Sequence, residues 1–128
     1  MLELIVVTII IAIIAAVATP AYIKSMERTR GGIARASLVS IAKAEKMYSA
    51  ENNGRYLAQT DAQLAGGLLN QYVEMNDIGF PADQDWVYSV TTAVNTFTAT
   101  ATKDVGVPNA GETITLTDAG IWGGTFTP

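Results

Sequence analysis

The chain has no cysteine and no histidine among its 128 residues. The first absence excludes disulfide bonds and thiolate metal ligands, and the second excludes imidazole ligands and the commonest general acid or base. The sequence also lacks a glycine-rich phosphate loop, a nucleophile elbow and a paired acid and base. We therefore predict a protein that is not an enzyme and that uses no cofactor.

Charged side chains are few and unevenly placed. Residues 1–23 contain one, Glu3, whereas residues 24–55 carry seven basic and three acidic side chains and residues 56–128 carry one basic and eight acidic. A basic middle and an acidic remainder suit a protein that pairs with copies of itself, or lies near anionic headgroups, better than one that follows a nucleic acid backbone. We predict no nucleic acid contact.

The N-terminal segment is long and apolar. Residues 4–23 are twenty successive uncharged residues, and as a helix they would cover roughly 30 Å, the thickness of a hydrocarbon core. A secretory signal peptide would have a shorter apolar region preceded by basic residues, whereas here Lys24, Arg28 and Arg30 follow it. A membrane-spanning helix is therefore predicted, and the positive-inside rule leaves a single-pass anchor with a cytoplasmic domain open.

Glu3 is the unusual residue of this segment. An ionised carboxylate within the apolar region costs roughly 2.5–3.5 kcal/mol on insertion scales, and such residues mark a partner or a function. The alternative is that Glu3, so near the start of the helix, lies at headgroup level and costs little. Residues 4–23 alone do not decide between the two.

The string LELIVVTIIIAIIAAVATPAYI resembles the N-terminal helix of the type IV pilin superfamily, through Glu3, the aliphatic block 4–14, an alanine pair, Pro20 and Tyr22. In this family a peptidase removes a short basic leader, the new N-terminus is methylated, and the glutamate pairs with the terminal amine of a neighbouring subunit. The resemblance covers roughly residues 1–60. It implies that Glu3 is the assembly contact and Pro20 a helix break, with filament-core packing by Leu4, Ile5, Val6, Val7, Ile9, Ile10, Ile13 and Ile14.

Two departures from the family pattern carry expectations of their own. Only Met1 and Leu2 precede Glu3, where the family has four residues, so the mature N-terminus is expected two residues before Met1. Ala12 stands where the family often has glycine. Alanine is a better helix former than glycine by about 1 kcal/mol, while Pro20 keeps a penalty of about 3 kcal/mol. Any stretch that unwinds in the filament is expected within residues 12–20.

Residues 24–53 continue the helix as an amphipathic segment. Five residues fall on one helical face, and the cations Arg35, Lys43 and Lys46 fall away from it. Glu45 lies at the edge of the apolar stripe, and the glycine pair at 31–32 indicates a soft bend or a flex point. Asn52, Asn53 and Gly54 predict a left-handed cap at the helix end. The residues on the apolar face are Ala34, Leu38, Ile41, Ala42 and Tyr48.

The third segment, residues 54–128, is predicted to form a globular domain with a variable loop at 54–85 and a sheet at 86–128. A short helix is expected over 61–72, capped by Thr60 or Asp61, with Tyr56 and Leu57 packing under the loop. Strands are expected at 86–90, 96–102, 112–117 and, shortest, 122–126, with Trp122 and Phe126 packing to hold the C-terminus. The fold class is α+β: a long N-terminal helix, kinked or partly unwound near Pro20, packed on an antiparallel sheet of three to four strands.

One acidic cluster raises the question of a metal. Asp77, Asp83 and Asp85 lie in a turn-rich stretch, and calcium prefers several oxygen ligands from one loop. Their spacing fits no compact ligand series, so a solvated acidic loop is favoured and no metal is predicted.

The function that the resemblance implies is that of a structural subunit of a type IV pilus, a helical filament of identical subunits that serves adhesion, motility, DNA uptake or secretion. Such a subunit waits in the inner membrane as a single-pass protein and is built by the pilus assembly machinery into an extracellular filament on the cell surface. Two alternatives stay open: a pseudopilin of type II secretion, and a membrane-anchored binding domain that does not polymerise.

Overall fold

A computed structural model of the chain describes residues 1–64, 66–73 and 85–127. A long helix is followed by a four-stranded antiparallel sheet with strand order β1-β2-β3-β4, which confirms the predicted α+β class. The chain divides into two units, residues 1–31 and residues 32–127. The elements are α1 (Leu2–Glu51), α2 (Asp61–Leu64), a 3-10 turn (Leu68–Gln71), β1 (Trp86–Ala93), β2 (Thr96–Lys103), β3 (Thr113–Thr117) and β4 (Trp122–Gly124).

In the first unit, α1 continues through Pro20. Every residue from 12 to 20 is helical, although the proline ring removes one backbone donor and crowds the preceding turn. Of the two states expected near Pro20, an unwound stretch is therefore not present in the single chain. Unwinding within residues 12–20 of an assembled filament stays a prediction.

In the second unit, the face of α1 predicted to be apolar is the buried one. Ala34, Leu38 and Ile41 are fully buried, while the cations predicted to point away are exposed. The helix ends at Glu51, and Asn53 follows in the left-handed region, with Gly54 after it. The Gly54 N–H donates to the Ser49 carbonyl at 2.9 Å. The predicted cap is confirmed.

The sheet closes the other side of this core. Along β2 the buried side chains alternate with half-buried threonines, and β3 repeats the pattern. On the outward face the threonines pair across the strands, Thr98 with Thr117, Thr100 with Thr115 and Thr102 with Thr113. The inward side chains are Trp86, Tyr88 and Val90 from β1, Phe97, Ala99 and Ala101 from β2, and Ile114 and Leu116 from β3.

Three expectations about the second unit are corrected. The helix expected over 61–72 is two short pieces, because the glycine pair at 66–67 falls between them and glycine is a poor helix former. β4 ends at Gly124 rather than at residue 126, since the Thr125 and Phe126 N–H groups both donate to the Thr113 carbonyl. Trp122, expected to pack, is 44 % exposed.

Thr60, one of the two residues predicted to cap the short helix, is bound by the side chain of Gln63. The Thr60 N–H donates to the Gln63 Oε1 at 2.9 Å, which is the reciprocal bond of a capping box. Asp61 makes a different contact. Its Oδ1 accepts the Tyr88 N–H at 2.7 Å, and this bond joins α2 to β1.

Candidate assembly interface

The N-terminal unit presents an apolar helix surface on every side. Between residues 4 and 14 only Thr8 is polar, and the eight aliphatic side chains predicted to pack in a filament core are 47 % to 68 % exposed. A helix that is apolar all round belongs in a protein core or in lipid. Among the described residues, α1 is the one helix long and apolar enough to cross a membrane.

The two threonine hydroxyls of this segment are satisfied within the helix. Thr8 donates through Oγ1 to the Ile5 carbonyl at 2.8 Å, and Thr19 donates to the Ala15 carbonyl at the same distance. Such bonds to the preceding turn leave neither threonine hydroxyl in need of water. The segment is therefore suited to a medium without hydrogen-bonding solvent.

Two opposite faces of this helix differ in side-chain size. At roughly 100° per residue, Thr8, Ala12, Ala15 and Thr19 share one face. The opposite face carries Glu3 and three large side chains, Val7, Ile10 and Ile14. Small residues let helices approach closely. Sequence reasoning identified the aliphatic residues and missed the small face, which was readable from the i, i+4, i+7, i+11 spacing of small residues.

Glu3 lies in the first turn of α1 and is exposed. The positive end of the helix dipole is at this turn, which favours a carboxylate there. The amine to which the resemblance assigns Glu3 belongs to another subunit, so this contact stays a prediction. Pro20, the other predicted position, lies within the helix.

The second unit contains a buried carboxyl that sequence reasoning placed only at the edge of a stripe. Glu45 is fully buried, and its Oε2 accepts the Leu57 N–H at 2.9 Å. Its Oε1 has no hydrogen-bond partner among the described residues. Burial raises the pKa of Glu45 to about 7, against the opposing effect of the Leu57 hydrogen bond. The carboxyl joins α1 to the chain that follows it.

A buried cation, Lys103, lies at the C-terminal end of β2. Lys103 is 1 % exposed, and its Nζ lies 4.0 Å from the Glu112 Oε2 and 5.5 Å from the centre of the Phe126 ring. Phe126 also meets Trp86 edge to face, with ring centres 5.4 Å apart. The predicted packing of Phe126 is confirmed, and these contacts fix the C-terminal segment without a disulfide.

Two of the three aspartates considered as calcium ligands lie outside the described residues. Asp77 and Asp83 are not among them, and within the described ranges no group of three acidic side chains is placed to hold a metal ion.

No protein-family model, curated protein or solved structure matches this chain.

Proposed function

We propose that this chain is the structural subunit of a helical filament of the type IV pilus class. The observation that carries the proposal is the exposure of an all-round apolar helix in a chain whose second unit already has its own core. A helix that is apolar all round needs a covering of lipid or protein. Lipid covers it before assembly, and identical helices cover it afterwards.

The two unlike faces of the helix support assembly into an open filament. The large face that includes Val7 and Ile10 fits against the small face that includes Ala12 and Ala15 of the next subunit. A contact between two different surfaces of identical subunits is heterologous, and it repeats without closing unless the rotation forms a ring. A filament is the expected product.

Glu3 gives this assembly its register. A carboxylate in lipid is costly, and pairing with the N-terminal amine of a neighbouring subunit removes that cost. Because apolar contacts with lipid are exchanged for apolar contacts with helices, the hydrophobic term changes little. A buried ion pair adds little stability but specifies register.

The same helix supports the location that we propose. The subunit is held in the inner membrane by residues 1–23 before assembly, and the filament is displayed outside the cell. A pseudopilin would assemble by the same contacts into a short periplasmic filament, and an anchored binding domain would remain in the membrane as single subunits.

Electron microscopy of sheared cell-surface material from cells that express the full chain with its assembly machinery tests the proposal. Long filaments that react with an antibody to this chain are the expected result. Full recovery in the membrane fraction, with no filament at the surface or in the periplasm, would contradict it. Short periplasmic filaments would favour the pseudopilin.

A further inference from the structure

An apolar groove with a basic rim lies on the second unit, between α1 and the end of the sheet. It has a volume of about 300 Å³ and is walled by Val39, Ala42, Leu116 and Trp122. Lys43 and Lys46 also line it, and both are exposed. Within the described part of the chain neither lysine has an ion pair. The groove therefore fits a ligand with an apolar tip and negative charge beside it.

The same chain presents a tip of that chemistry. In the loop between β2 and β3, residues 104–112, the Val105 side chain is 92 % exposed. Asp104 supplies a negative charge next to Val105, while Glu112 at the other end of the loop lies 4.0 Å from the Nζ of the buried Lys103. The loop conformation is held by the Asp104 Oδ1, which accepts the Val105 N–H, and by the Gly111 N–H, which donates to the Lys103 carbonyl.

The groove and the loop lie at opposite ends of one strand. The loop enters β3 at Thr113, and the groove is lined by Thr117 and Gly120 at the other end. Five residues of strand span about 17 Å. A contact between the loop of one copy and the groove of another therefore joins two different surfaces, and it repeats head to tail.

We propose that the 104–112 loop of one subunit docks in the groove of the next, with Val105 against Trp122 and with Asp104 facing Lys43 and Lys46. This contact rests on the proposed filament, because a contact as small as one loop tip is weak by itself. When the N-terminal helices are bundled, the local concentration of the second units is high, so that a weak contact between them is occupied. The partner is a second copy of this chain.

Cysteine cross-linking of the full chain, expressed with its assembly machinery, tests the contact. Since the natural chain has no cysteine, the two introduced residues of the variant Lys43→Cys with Val105→Cys are its only thiols. A short bis-maleimide should give a ladder of dimers, trimers and larger species. The control combines Val105→Cys with Val94→Cys, which is 89 % exposed and lies in the turn between β1 and β2. A ladder of equal yield in the control, or no ladder in the proposed pair, would overturn the contact.

Charge reversal in the same cross-linking chain separates a specific contact from a general charge effect. Lys46→Glu should lower the ladder yield roughly two- to fivefold, the effect of one exposed ion pair, and Asp104→Lys in the same chain should restore it. The control Arg35→Glu, on the same helix outside the groove, should leave the yield unchanged. An equal loss with Arg35→Glu, or no recovery with Asp104→Lys, would count against the proposal.

Three further outcomes separate this contact from the filament itself and from a membrane. Filaments that form without a ladder would overturn the contact and leave the proposed function standing. A ladder in cells that make no filament would support the contact and contradict the function. Vesicles of anionic lipid that shield Trp122 from acrylamide, when neutral vesicles do not and no ladder forms, would assign the groove to the membrane instead.

Discussion

The Glu45 side chain accepts a hydrogen bond from the Leu57 backbone N–H, across twelve residues of chain, at 2.9 Å. One carboxylate oxygen is satisfied in this way, and the other is buried without a partner. Glu45 therefore holds the segment after the helix to the helix itself, and it does so from a position that disfavours its charge.

Stability is expected to fall as pH rises through the range set by Glu45. Its pKa is raised from 4.5 to about 7, so the folded chain binds one proton more than the unfolded chain between these values. Protonated Glu45 contributes on the order of 3 kcal/mol to the free energy of unfolding. This stabilisation is fully present below about pH 4.5 and is lost as the pH rises through about 7. Urea unfolding of the full chain in detergent, followed by the fluorescence of buried Trp86, measures it.

Glu45→Gln is the control for this pH dependence, because glutamine can still accept the Leu57 N–H and carries no charge. The two proteins should be equally stable near pH 4.5, and the variant should be the more stable one at pH 8. Parallel stability curves over the whole range would contradict the assignment to Glu45.

Removal of the Glu3 charge should stop assembly and leave membrane insertion intact. Glu3→Gln keeps the size and polarity of the side chain but cannot form an ion pair with an amine. Filament recovery should fall at least about tenfold, corresponding to about 1.4 kcal/mol, with normal amounts of subunit in the membrane. Glu27→Gln changes a carboxylate on the same helix outside the apolar run and should assemble normally. Normal filament yield from Glu3→Gln would refute the role.

Filling the small face of the helix should also impair assembly. Ala12→Leu adds a large side chain where close approach is expected, and overpacking costs about 1–3 kcal/mol. Filament yield should fall at least about fivefold, while insertion is unchanged or improved. Ala18→Leu, which lies off that face, is the matched control. Equal yields from the two variants, counted by electron microscopy, would show that the small face is not a packing surface.

Loss of the Phe126 ring should destabilise the second unit. Phe126→Ala removes the edge-to-face contact with Trp86 and the ring under the Lys103 ammonium, which together are expected to contribute about 1–3 kcal/mol. Val94→Ala, at an exposed turn, should change the free energy of unfolding by less than about 0.5 kcal/mol. Similar unfolding midpoints for the two variants would place the stabilisation of the C-terminus elsewhere.

Period-two and helical patterns predicted most of the second unit. The alternation of Phe97, Ala99 and Ala101 with threonine identified β2 and its inward face, because a strand places successive side chains on opposite sides. Lys103 lies two residues after Ala101 in the same alternation, so its side chain is on the inward face and is buried. The predicted strand ended at residue 102, since a lysine was not expected inside.

Other features depended on residues far apart in the chain. The position of Glu45 on the helix gave no sign of the Leu57 N–H that it accepts, because that contact is made by the path of the following segment. Trp122 was expected to pack because it is large and apolar, yet it lines a groove that an outside partner can enter. Glu3 was singled out as the one charge of the apolar segment, its role came from the resemblance to a family, and its proposed contact lies between chains.

The paired threonines on the outer face of the sheet have a consequence for the material properties of a filament. Thr98 with Thr117, Thr100 with Thr115 and Thr102 with Thr113 present hydroxyls and methyl groups, and the outward side chains of all four strands are uncharged. Dissolved ions have no charge to screen on that face. Lateral bundling of filaments through it would be governed by hydration, and would depend little on ionic strength in dilute salt.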